Sequence, residues 1–196
     1  KGIITKQKTK HICYCHTPTR YLWSDTYDYI ENLRGIEKIM AKLLLSLLSR
    51  LRIWDYVAAQ RPDNFIANSH NIAARIKKYY RRDSVIVYPP VETEKFYISP
   101  ELGDYFLVIS RFRPYKRIDL AIEAFNKMKI PLKIIGANKG SDLLKSANSN
   151  IEFLGAVSDE EKAKYLSRCL ALIHPQEEDF GITPVEAMAA GRPVIA

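Results

Sequence analysis

Two acidic and two basic side chains carry the chemistry that can be read in this sequence. Glu178 and Glu186 stand eight positions apart in EEDFGITPVEAMAAGRPVIA, with a Phe-Gly turn between them. Carboxylates at a loop-to-helix junction accept hydrogen bonds from sugar hydroxyls, and the open amides of a helix start can meet a phosphate. Arg111 and Lys116 belong to Ser110-Arg111-Phe112-Arg113-Pro114-Tyr115-Lys116-Arg117, where four cations sit between a predicted strand and a predicted helix. A diphosphate needs cations that converge from two directions, together with helix-terminal amides. The plain alternative is a solvated basic loop.

Glu186 has a competing structural reading. Thr183-Pro184-Val185-Glu186 has the form of a capping box with proline at the first helical position. A carboxylate bonded to the Thr183 amide would not also bind a ribose diol with the same oxygens, so both readings stay open. Glu178 precedes a glycine-containing turn and has no comparable structural task. The Phe180-Gly181-Ile182 segment would bring backbone amides close to a ligand. His16 ends a predicted strand that also holds His11, Cys13 and Cys15. That spacing fits no closed zinc site, and no metal is expected.

The elements that must hold these residues follow from periodicity. His11 to His16 reads as a buried strand, Asp25 to Leu33 as a short helix, and Ile36 to Asp55 as a long helix with a leucine-rich face and cationic borders. That face is expected to pack on a core; lying on an anionic membrane surface is the alternative. Asn64 to Asn68 reads as a strand, Ser69 as the cap of a helix to Tyr80, and Ser84 to Tyr88 as a strand ended by Pro89-Pro90. Further strands are expected at 105–110, 132–135, 151–154, 170–174 and 193–196. Helices are expected at 118–128, 142–147, 158–167 and 184–190, the 158–167 helix opening on a Ser158-Glu161 capping box. Strands alternating with helices imply an α/β fold with parallel sheets, whose ligands bind beyond the carboxyl ends of the strands. The expected domains are 1–90 and 104–196, with 91–103 as a proline-punctuated linker.

Bulk properties bound the partners. The chain has 196 residues and a net charge of +8, which favours anionic company. Three cysteines give no disulfide framework and suit a reducing compartment, so the expected location is cytoplasmic. No signal peptide is visible, and the longest apolar run is too short to span a bilayer. The chain begins without Met and stops just after a predicted strand, which reads as cut at both ends.

With these residues in place, the chain resembles the retaining glycosyltransferases of family 4, which have the two-domain GT-B fold. SRFRPYKRIDLAIEAF is similar to the family's Arg-and-Lys phosphate-binding segment. EEDFGITPVEAMAAGRPVIA is similar to its E-x7-E signature. HICYCHTPTRYLW is similar to the segment with the active-site His. Within the family, the wording resembles mannosyltransferases of polysaccharide biosynthesis.

The resemblance implies roles. Arg111 and Lys116 would hold the donor diphosphate, Glu178 the sugar hydroxyls and Glu186 the ribose. The amides of Phe180, Gly181 and Ile182 would face sugar and phosphate, His16 would reach the donor sugar, and the loop from Gly155 to Val157 would lie near the base. Ser110 stands where the family often has Gly. The glycine-rich donor loop, much of the acceptor site and the closing helix are missing from the stretch, so it is expected to be inactive by itself.

The implied reaction is transfer of a hexose, mannose from GDP-mannose, to a glycan or lipid-linked acceptor. It proceeds with retention, without a metal and without an agreed carboxylate nucleophile. Peripheral association with the inner face of a membrane fits the same reading. Rival classes are a nucleotide-sugar epimerase, a glycosyl phosphorylase, or a non-enzymatic basic module for nucleic acid or membrane. Nucleic acid is disfavoured, because the cations cluster in one strand-end loop instead of interleaving with aromatics.

Overall fold

The computed structural model describes residues 1–31, 35–43, 45–136 and 143–196. The chain folds as two compact units, Lys1–Pro89 and Pro90–Ala196. Of the expected elements, Asn32, Leu33, Leu44 and Asp142 lie outside the described residues.

In the first unit, β1 (Ile12–Cys15) is followed by α1 (Arg20–Trp23), α2 (Thr26–Glu31), α3 (Gly35–Leu43) and α4 (Leu45–Ala58). Then come β2 (Asn64–Ala67), α5 (His70–Tyr80) and β3 (Val85–Ile86). The described strands pair in parallel in the order β1-β2-β3. Ser69 caps α5 as expected, its Oγ accepting from the Ile72 amide at 3.1 Å. The core gathers Cys15, Phe65, Ala67, Ile72, Ile76 and Tyr80.

Two expectations about this unit are corrected. The first strand is not buried throughout: Cys15 is, but Ile12 and Tyr14, on the opposite face of the period-two pleat, are exposed. Among the described residues, most of the leucine-rich stripe does not pack on a core either, and Leu48 is half-buried. Ile36, Ile39, Met40, Leu47 and Leu51 are all exposed, while α4 turns Asp55 and Ala58 inward. Asp55 sets that rotation. Its buried carboxylate accepts from Trp23 Nε1 and the Tyr80 hydroxyl at 2.8 Å each and pairs with Lys1 at 2.7 Å. A buried carboxylate is tolerated only when so satisfied. Burial and the Asp55 hydrogen bond together push the Tyr80 hydroxyl pKa far up.

In the second unit the elements are β4 (Phe106–Ile109), α6 (Ile118–Met128), β5 (Leu132–Ile135), α7 (Leu143–Ser146), β6 (Ile151–Gly155), α8 (Asp159–Arg168), β7 (Leu172–Ile173), α9 (Ile182–Ala189) and β8 (Val194–Ile195). Short 3-10 turns occupy Thr93–Lys95 and Pro114–Lys116. Among the described residues the sheet is parallel in the order β6-β5-β4-β7-β8.

This sheet is covered on both faces, and its strands show it. In β4, Leu107 packs with Leu166, Cys169, Leu172 and Ala187, while Val108 packs with Ile118, Ile122, Phe125 and Ile134. Adjacent residues feeding two separate cores are the mark of a strand buried on both sides. Burial pushes the Cys169 thiol up to about 11, so it packs as an apolar group. The Ser158-Glu161 capping box forms with both reciprocal hydrogen bonds, at 3.2 and 3.0 Å.

The chain runs from β4 outward through β5 to β6, then returns to the other side of β4 for β7 and β8. The order therefore reverses between β4 and β7. The loops leaving those two strands diverge there and leave a crevice at the carboxyl end of the sheet.

Candidate functional site

That crevice holds a cavity of about 360 Å³. Ile109, Ser110, Arg111, Tyr115 and Lys116 line it from the β4 side and Ile135 and Gly136 from β5. Gln176, Glu178 and Thr183 line it from the segment between β7 and α9. The basic loop and the first of the two acidic residues thus meet in one place, inside the second unit.

Lys116 and Glu178 form an ion pair across the cavity, with side chains only 15% and 25% exposed. Burial alone would raise the Glu178 carboxyl. The hydrogen bond and charge of Lys116, with a further hydrogen bond from Gln176, reverse that and hold it below the usual carboxylate range. Glu178 therefore has a structural partner that its sequence neighbours do not disclose, contrary to the expectation that it has no such task.

Gly136 shapes the floor. Its φ is +153°, and a Cβ there would lie 1.9 Å from the Ser110 carbonyl oxygen. Any side chain would collide with the backbone leaving β4, so the two strand-end loops approach this closely only because residue 136 is glycine.

The start of α9 corrects the capping expectation. The helix begins at Ile182, with Gly181 as its N-cap at φ +84°, and no side chain caps it. Thr183 lies inside the first turn, so Glu186 does not bond back to it. The positive φ of Gly181 lets the helix start two residues early. Glu186 is buried and its Oε1 accepts from Lys162 at 3.0 Å. Lys162, on α8, is itself 3.6 Å from Asp159 and lies over the Phe96 ring at 5.6 Å.

The remaining expected site residues lie outside the lining of this cavity. Phe180 and Gly181 are half-buried and Ile182 is exposed, while Thr183 takes the place facing the cavity. Val157 packs against the core cluster of Leu107 and Leu166. His16, in the first unit, is exposed at the end of β1 with its ring edge-on to Tyr14 at 5.2 Å. Arg113 is exposed, and Arg117 is drawn to Asp119 at 3.2 Å, so of the four loop cations only Arg111 and Lys116 face the cavity.

Sequence reasoning passed over Gln176, His174 and Lys162. Gln176 and His174 sit in the loop leaving β7, where any residue is a candidate by position. Lys162 gave no signal, because helical lysines are ordinarily solvated. Among the described residues no group of three or more His, Cys, Asp or Glu is placed to hold a metal ion. Among the same residues no helix is long and apolar enough to cross a membrane.

Comparison with known proteins bears on the fold and the family. Solved structures similar in fold include sucrose-phosphate synthase from Thermosynechococcus elongatus, at a TM-score of 0.65 and 20% identity over 76% of this chain and 44% of that one. Anabaena HepE in complex with UDP and glucose matches with a TM-score of 0.64 and 20% identity over 74% of this chain and 47% of that one. These neighbours are GT-B glycosyltransferases, and the present fold, α/β with parallel sheets, is of that class. Residues 91–196 match the family model for glycosyl transferases group 1, and the chain belongs to that family.

Among curated relatives, an uncharacterized glycosyltransferase of Methanocaldococcus jannaschii is 31% identical over 147 residues, covering 71% of this chain and 41% of that protein. Alpha-1,3/1,6-mannosyltransferase ALG2 of Dictyostelium discoideum is 26% identical over 240 residues, covering 96% and 54%. O-antigen chain mannosyltransferase C of Escherichia coli is 28% identical over 177 residues, covering 82% and 46%. The chain thus spans about half the length of these relatives.

Proposed function

We propose that the protein carrying this chain transfers a hexose, mannose from GDP-mannose, to a glycan or lipid-linked acceptor with retention of configuration. The observation that carries the reading is the meeting of Arg111, Lys116 and Glu178 in one crevice at the strand-order reversal. The mannosyltransferases among its relatives support the choice of sugar.

In this reading the donor diphosphate lies against Arg111 and Lys116. Departure of the nucleotide is the demanding step, since negative charge grows on the leaving oxygen. Fixed cations in a partly desolvated crevice favour that charge more than they favour the ground state. No metal is required, because the chain itself supplies the positive charge. Lys116 pairs with Glu178 when no ligand is present and turns to the phosphate when one enters. Glu178 then accepts from hydroxyls of the sugar. Glu186 takes the ribose with the oxygen not engaged by Lys162, and the amides of Phe180 to Ile182 approach the sugar and phosphate. Val157 keeps its proposed place near the base. The role of His16 at the donor sugar rests on the sequence resemblance alone, and His16→Ala tests it.

Peripheral membrane contact is part of the proposal, at the inner face of the membrane in a reducing compartment. Exposed Ile36, Ile39 and Met40 on α3, with Trp54 exposed on α4, favour it. Flotation with anionic vesicles is its test; failure to float removes that part.

The donor is tested by thermal-shift screening of the full-length protein against GDP, UDP and ADP sugars. Selective stabilisation by GDP-mannose is expected. Stabilisation by another sugar nucleotide replaces the donor, and a product formed without any acceptor points to an epimerase instead.

A further inference from the structure

The chain leaves β7 through His174-Pro175-Gln176 before it reaches Glu178. His174 and Gln176 are both buried, and Gln176 lines the cavity. Gln176 Nε2 lies 3.1 Å from His174 Nδ1 and 3.3 Å from Glu178 Oε1.

Chemistry fixes the direction of these bonds. An ionised carboxylate only accepts, so the amide must turn its NH2 group toward Glu178. The opposite orientation would set two oxygens against each other. The same NH2 group then meets His174 Nδ1, which must be the unprotonated ring nitrogen. His174 is therefore neutral, with its proton on Nε2. Its surroundings agree: burial pushes the imidazole below its usual range, Glu178 pulls it up and Lys116 pushes it down.

Among the described residues no side chain or backbone group pairs with the buried Gln176 Oε1 and His174 Nε2. Buried polar groups are normally paired, and an unpaired one asks for a reason other than packing. When Lys116 turns to a phosphate, Glu178 loses its ion pair, and burial would then favour the protonated carboxyl. The Gln176 amide stays in place.

We propose that Gln176 is the positioning residue for Glu178: clamped by His174, its NH2 group keeps the carboxylate aimed at the cavity and ionised while Lys116 serves the leaving diphosphate. This rests on the reading of Glu178 as the sugar-facing carboxylate.

The test uses the full-length protein, with the sugar nucleotide selected from the GDP, UDP and ADP series and its free nucleoside diphosphate as binding probe. In Gln176→Leu, kcat should fall about tenfold or more, with the Kd of the nucleoside diphosphate unchanged. The acid limb of the kcat/KM profile should move to higher pH, since Glu178 loses a donor. In Gln176→Glu two carboxylates face each other. Activity should be low at pH 8 and recover as pH falls, because one shared proton restores a donor. Among the described residues Lys116 and His174 are charged or titratable groups facing Glu178, and the profile of a Gln176→Glu, His174→Asn double variant should keep the same recovery.

The inference falls if both single variants follow the wild-type pH profile. Glu178→Gln separates the two layers. If it is impaired while the Gln176 variants behave as wild type, only the positioning role is lost. If Glu178→Gln itself turns over normally, the sugar-facing reading is lost and the positioning role with it.

Discussion

Lys116 and Glu178 are 62 residues apart in sequence and form an ion pair in the crevice between the loops that leave β4 and β7. Each comes from the carboxyl end of a different strand, and they meet because the strand order reverses between those strands. The pair gives the site its electrostatic character: one cation beside a carboxylate that is held ionised.

Replacing the cation tests the phosphate role. Lys116→Ala in the full-length enzyme is expected to lower kcat/KM by at least about 100-fold, the size of loss seen when an oxyanion donor is removed. Steady-state kinetics with saturating acceptor measures it. Near-normal turnover would reject the assignment.

The pair also predicts a pH dependence of stability. The folded carboxyl of Glu178 titrates below its ordinary 4.5. A depressed pKa contributes stability above the unfolded value, and that contribution disappears as pH falls through the folded one. Wild type should therefore be more stable than Glu178→Gln at pH 7, and the gap should narrow below pH 4.5. Urea unfolding at a series of pH values reads the difference; a gap that widens on acidification contradicts the pairing.

Gly136→Ala should destabilise the second unit by about 2–4 kcal/mol, through forced backbone movement where the added Cβ meets the Ser110 carbonyl. Chemical denaturation measures this. A loss under about 0.5 kcal/mol, the scale of an ordinary surface change, would mean that the close approach of these loops is not obligatory.

Lys162→Met leaves the buried Glu186 carboxylate without its cation. With side chains 22% and 12% exposed, the expected loss is about 1–3 kcal/mol, less than for a fully desolvated pair. Adding Glu186→Gln should recover part of it, since the uncompensated charge is then gone. An additive double variant would show that the two groups do not act on each other.

Much of the fold was legible because its causes are local. The helix Ile118–Met128 and the strand Leu132–Ile135 have the boundaries that their periodicity predicts. Ser158 and Glu161 sit three residues apart, and their reciprocal bonds involve nothing beyond one helical turn. The capping box at Thr183 has the same local form and does not form, because Gly181 at positive φ starts the helix earlier. The stripe on α3 and α4 has helical spacing, yet spacing cannot say whether anything covers it. Asp55, bonded to Trp23 and Tyr80, decides which face of α4 turns inward.

What the sequence determined by itself is the alternation of parallel strands and helices, and the placing of Arg111, Lys116 and Glu178 in loops at strand ends. Hydrophobic period and turn chemistry act over a few residues, so they survive in a linear reading. Only the tertiary structure decided which of these loops are neighbours, that Glu186 pairs with Lys162 and that Gln176 braces Glu178. The first two relations depend on how strands and helices are ordered and packed across segments far apart along the chain; the Gln176–Glu178 contact spans two residues of one loop, and only the folded path of that loop shows it.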